Sequence, residues 1–217
     1  MCGRYASFTP LEVGEPLFEL DVVTEEVKQR RPSWNVAPTT MVPIIVQPEA
    51  REAHLARWGL IPPWAKDPQV GAKMINARAE TVAEKRSFAP SLKSRRCLVV
   101  ADGYYEWEDK GKPHYIYRAD GQRIGFAGLY TWWRPAPDSW QLSTTIITRA
   151  ADQLAELHHR EPVILNPGDF SGWLDPSSGT DDALSILNSP APSLEHYLVN
   201  PQVGRVGVDS EANIEPA

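Results

Sequence analysis

The chain has 217 residues, 42% of them hydrophobic and 23% charged, which excludes a disordered or low-complexity polypeptide and predicts one compact domain with a ragged end. Fourteen glycines and 20 prolines favour many turns and short elements over a long helical bundle. The net charge of −6 argues against a nucleic-acid partner for the molecule as a whole, yet residues 51–123 carry 14 Lys and Arg against 9 Asp and Glu, so the middle of the chain is basic.

Taken in chain order, 24–31 reads as a short helix with Thr24 as N-cap and Pro32 as its stop. Residues 41–47 and 52–58 read as a β-hairpin. The stretch 76–86 has helical composition after its first residues, and Pro90 opens a short basic helix over 90–93. Strands are predicted over 97–101, 104–108, 114–118, 124–130 and 141–148, all rich in β-branched and aromatic residues. Gly103, Lys110-Gly111-Lys112 and Asp120-Gly121 punctuate them. Helices follow over 150–157 and 181–187, the second capped by Thr180. One strand is expected near 203–208, then a polar, frayed end over 209–217. Strands in runs rather than alternating with helices predict an α+β fold. The expected domain is a mainly antiparallel, barrel-like sheet flanked by short helices.

The start Met1-Cys2-Gly3-Arg4-Tyr5 has no apolar run behind it, and no stretch reaches the ~18 apolar residues of a membrane span. Cys2 and Cys97 are the two cysteines, too few for a disulfide framework or a closed thiolate zinc site. A cytoplasmic protein without membrane partner, metal or other cofactor is expected.

Position 2 is the most informative. Methionine aminopeptidases act when the second side chain is small, and removal of Met1 would leave Cys2 with both an α-amine, pKa ~8, and a thiol, pKa ~8.5. Such an aminothiol can attack a carbonyl through sulfur. Alternatively, its amine condenses with an aldehyde and the sulfur closes a five-membered thiazolidine. A cysteine at this place can also be incidental. Three further clusters bear on the choice. Asn76-Ala77-Arg78-Ala79-Glu80 sets an amide and a guanidinium two residues apart, on one side of an extended segment. Gly103-Tyr104-Tyr105-Glu106-Trp107 places a carboxylate between aromatic rings, where desolvation raises its pKa toward proton transfer near neutrality. His158-His159-Arg160-Glu161-Pro162 follows the expected helix, with His158 in its last turn. Singly, Glu106 reads equally as a strand carboxylate and each histidine as a surface residue. Neighbouring histidines point apart on a helix and lack a HExxH or Cys-x-x-Cys partner, so no metal is expected.

These pieces occur in order with Trp34-Asn35-Val36-Ala37-Pro38-Thr39, Trp58-Gly59-Leu60-Ile61-Pro62 with Trp64, and Arg95-Arg96-Cys97-Leu98. Together they resemble the SRAP family, the SOS-response-associated peptidases, over residues 2–208. Glu161 departs from the family pattern, which usually has methionine there, and sets a negative charge next to His158. The resemblance implies a protein that shields abasic sites in single-stranded DNA, acting as a monomer. Cys2 would form the covalent link, Asn76 would orient it, Glu106 would transfer protons and His158 would act as acid or base at the sugar. Arg4, Arg78 and Arg160, with Lys66 as a further candidate, would grip phosphates. Trp34, Pro38, Trp58 and Trp64 would offer apolar surface to unpaired bases. The rival readings are a peptidase using the same four residues and a non-covalent single-strand binding module.

Overall fold

The computed structural model describes residues 2–108 and 111–217; Met1, Asp109 and Lys110 of the expected 110–112 turn lie outside them. In chain order the strands are β1 (Tyr5–Ser7), β2 (Val22–Val23), β3 (Ser33–Val36), β4 (Met41–Val46), β5 (Glu52–Trp58), β6 (Asn76–Arg78) and β7 (Arg96–Ala101). There follow β8 (Gly103–Trp107), β9 (Pro113–Arg118), β10 (Ile124–Ala136), β11 (Ser139–Ala150), β12 (Arg160–Pro162) and β13 (Leu194–Leu198). The short helices are α1 (Glu25–Lys28), α2 (Ala89–Ser94), α3 (Phe170–Leu174) and α4 (Thr180–Leu187).

One sheet runs β12-β11-β10-β7-β4-β5-β2. A parallel pairing of β11 with β5, Ser143 beside Arg57 and Thr144 beside Trp58, closes five of its strands into a barrel. The second sheet, β13-β9-β8-β1-β3, is antiparallel throughout and packs on the first. Because both faces of the central strands are covered, β7 is buried at every residue and reads as a continuous apolar run rather than an alternation. Cys97, Val99, Phe126 and Ile146 face Tyr5, Tyr104 and Ile116 of the second sheet. Leu98, Val100, Leu129 and Ile147 face the helical layer of Val27, Leu92, Trp173 and Leu187. Arg96 is buried at 2% exposure and donates to Leu92 O, Lys93 O and Trp173 O, satisfying carbonyls at the ends of α2 and α3. The fold is the expected α+β domain.

Four expectations fail locally. Residues 79–88 form successive turns after β6 instead of a helix. Residues 153–157 are likewise turns: Ala150 stays in β11 opposite Arg160, and only a single turn closes, from Leu157 N and His158 N to Leu154 O. Pro201–Gly204 is a 3₁₀ turn and not a strand, since the carbonyls of Val203, Arg205 and Val208 all accept from Asn35 Nδ2. The end of the chain is anchored, not frayed. Asp209 accepts from Ser33 Oγ and Trp34 N, Asn213 is 4% exposed, and Ala217 N donates to Leu198 O. In addition Gly179 replaces Thr180 as the N-cap of α4.

Trp58 is wholly buried, with its Nε1–H donating to Ile75 O at 3.0 Å and its ring edge-on to Tyr5 at 5.1 Å. It therefore presents no stacking surface, contrary to expectation, because the closing pairing with β11 turns it inward. Trp58→Ala is expected to lower unfolding stability by about 3–5 kcal/mol, the cost of emptying a large aromatic site. A urea titration read by circular dichroism checks this.

Candidate active site

Backbone pairing assembles the site. Tyr5 lies opposite Tyr104 and the Tyr105 N–H donates to Arg4 O, so the β1–β8 register carries Cys2 and Glu106 to the same end of the sheet. Asn76 enters through a different route. Gly59, at φ 127°, and Gly71 touch so closely that a Cβ on either would stand 2.5 Å from the other's carbonyl oxygen. That contact folds the 59–75 loop back and lays β6 beside β11 in parallel, Asn76 against Ile146 and Arg78 against Thr148. The two side chains thus share one face, as their spacing predicts. β12 then pairs with the end of β11 and brings 158–160 back toward Thr148.

Asn76 Nδ2 donates to Cys2 O at 2.9 Å. Cys2 and Glu106 are both buried, at 0% and 5% exposure. Burial first, and then the neighbouring Glu106 charge, push the Cys2 thiol well above its ordinary pKa, so the sulfur is held as a thiol. Burial likewise raises the Glu106 carboxyl above 4.5. The His158 imidazole is shifted the opposite way, below 6.5, again chiefly by burial. His158 Nδ1 lies 3.0 Å from the Arg160 backbone nitrogen and 3.2 Å from the Arg160 carbonyl oxygen, so it accepts from the first when unprotonated and donates to the second when protonated. The two shifts run in opposite directions, up for the acid and down for the base, and both come from burial.

His158 and His159 do not point apart, since no helix carries them; their rings stack at 4.2 Å. No group of three or more His, Cys, Asp or Glu among the described residues could hold a metal.

The expected phosphate and base contacts divide. Arg78 and Lys66 are exposed, and Trp64 is 51% exposed with Arg86 over its ring at 5.0 Å. Pro38 and Trp34 are half-buried, the latter stacked on Phe8 at 5.6 Å. Arg4 instead serves the fold, donating to Asn35 Oδ1 at 2.7 Å and to Val203 O and Gly204 O. Arg160 is engaged as well: it makes a two-pronged pair with Glu80 and donates to Thr148 O at 2.7 Å, tying β12 to β11 and to the turn after β6. Glu80 sits two residues past Arg78, and only the tertiary pairing of β6 with β11 reveals its role. The charge of Glu161 is likewise not aimed at His158: Arg149 Nε pairs with it at 2.9 Å, on the opposite side of β12 from Arg160.

The family model for the SOS response associated peptidase, SRAP, matches residues 1–206. The chain belongs to the SRAP family. It is 39% identical to the abasic site processing protein YoqW of Bacillus subtilis, over 99% of each chain. Against the abasic site processing protein YedK of Escherichia coli the identity is 33% over the full length of both. A crystal structure of a protein from Bacteroides thetaiotaomicron superposes with a TM-score of 0.82 at 25% identity, covering 98% of this SRAP chain and 99% of the other.

Proposed function

We propose that this SRAP protein captures abasic sites in single-stranded DNA as a covalent thiazolidine on Cys2, after removal of Met1. The observation that carries the reading is the Asn76–Cys2 hydrogen bond beside the buried Glu106 carboxyl, with the names of the relatives as independent support.

The open-chain abasic deoxyribose presents an aldehyde. The Cys2 amine adds to it, and loss of one water gives an imine. The thiol then adds to the imine carbon, the nitrogen takes up the proton, and the ring closes. Glu106, its carboxyl raised by burial, receives and returns these protons. Asn76 holds the Cys2 carbonyl and so fixes the orientation of amine and thiol. His158 acts as acid or base at the sugar. The amine opens the reaction and the thiol completes it.

Arg78 would contact a phosphate next to the lesion, with Trp64, Trp34 and Pro38 as apolar surface for flanking bases. A denaturing gel tests the reading. A strand with a uracil-excised site should give a heat-stable shifted band, whereas one carrying tetrahydrofuran, which has no aldehyde, should give none. Equal bands on both strands would refute aldehyde capture. In the same assay Arg78→Ala should weaken engagement and make the log–log salt dependence shallower by about 0.7, the share of one phosphate on a single strand. Identical slopes would make Arg78 structural.

A further inference from the structure

Between Ala150 and Arg160 the chain leaves the sheet and returns, and His158 rides on this excursion. Within it Leu157 N and His158 N both donate to Leu154 O, and Ala151 N to His159 O. Gln153 ties it to Ala191 O, Pro192 O and Leu194 N, Leu154 and Leu157 bury their side chains, and the side chain of Glu161, 4% exposed, fixes its first turn. Oε1 accepts from Arg149 Nε at 2.9 Å and Oε2 from the Asp152 N–H at 3.1 Å. Arg149 in turn donates from Nη1 to Leu187 O and Ser189 O at the end of α4. One carboxylate therefore joins the strand before the loop, the first turn of the loop and the helix behind it.

From these contacts we infer that Glu161 is a positioning residue for capture, its clamped carboxylate holding the loop that aims His158 at Cys2, Asn76 and Glu106. The inference rests on His158 being the proton-transfer group proposed above. A buried ion pair adds little net stability over apolar packing, but it is a strict geometric restraint, and both Glu161 oxygens are used here. The amide of glutamine cannot replace it, because only its one oxygen can accept. Among the described residues, His159 stacks on the imidazole and the Arg160 backbone meets its Nδ1.

The test is Glu161→Gln, read three ways: nuclear magnetic resonance titration of His158 in DNA-free protein, single-turnover capture of an abasic strand, and affinity for an undamaged strand. Release of the loop hydrates the imidazole, so its lowered pKa should rise toward the ordinary value. Capture should slow on the order of 10–100-fold, the usual cost of a group displaced by about 1 Å, while undamaged-strand affinity stays unchanged. Glu161→Asp, which keeps the charge, should recover part of the rate. A folded Glu161→Gln protein with an unaltered His158 titration overturns the inference. A shifted titration with an unaltered rate upholds the positioning and refutes the role of His158. Should Glu161→Gln fail to fold because Arg149 is stranded, Glu161→Gln with Arg149→Met removes both charges and is judged by the same readings.

Discussion

Cys2→Ser is expected to abolish heat-stable capture of abasic DNA. Serine keeps the α-amine, so an imine can still form, but its hydroxyl closes only the weaker oxazolidine. The variant should yield at most a labile adduct that becomes permanent when borohydride reduces the imine. Cys2→Ala should behave alike. An uncleaved tag ahead of Cys2 should remove the reaction altogether, although the thiol is present, because the tagged chain has an amide where the amine should be. This outcome separates the aminothiol from a plain sulfur nucleophile, which the tag would spare. Denaturing gels with and without borohydride supply the measurement. The Asn76 contact gives the prediction its structural side: the amide grips the backbone oxygen of Cys2, not its sulfur, so it orients serine and alanine equally. The loss then belongs to the missing sulfur.

Glu106→Gln is the second large effect. The two side chains have almost the same shape, and only proton exchange is lost, so capture should slow by about 10²–10⁴-fold while affinity for undamaged strands holds. Stability should move the other way. Glu106 has a folded-state pKa raised by burial, so its contribution to the fold is complete at acid pH and is lost as pH rises through that pKa. Glutamine does not ionise and escapes the loss. The melting temperature of Glu106→Gln relative to the parent should therefore climb between pH 4 and pH 7. A variant that keeps its rate but melts early would make Glu106 a structural carboxylate.

Most of the β framework was legible in the sequence, because β4, β5 and β7 to β11 are long β-branched or aromatic runs with turn residues between them. The strands of two to four residues, β1, β2, β3, β6 and β12, were not, since each is defined by its partner and not by a pattern of its own. Residues 150–157 show why composition misled. They have helix formers, but Ala150 stays in the sheet opposite Arg160, which leaves too short a segment for more than one turn. Trp58 and Arg160 mark the same limit in the site. Tryptophan and arginine are the residue types that bind single strands, yet the β11–β5 closure buries one and Glu80 engages the other. Cys2, Asn76, Glu106 and His158 were readable as chemistry from residue type. Their meeting place depends on pairings that span most of the chain, such as Asn76 with Ile146 and Ala150 with Arg160.

Intact mass spectrometry after incubation with a uracil-excised oligonucleotide tests the central claim most directly. Free protein should be one methionine lighter than the encoded chain, and the adduct should equal that protein plus the oligonucleotide less one water, formed without reductant. Fully cross-linked protein that still carries Met1, or an adduct whose mass shows no loss of water, would contradict it.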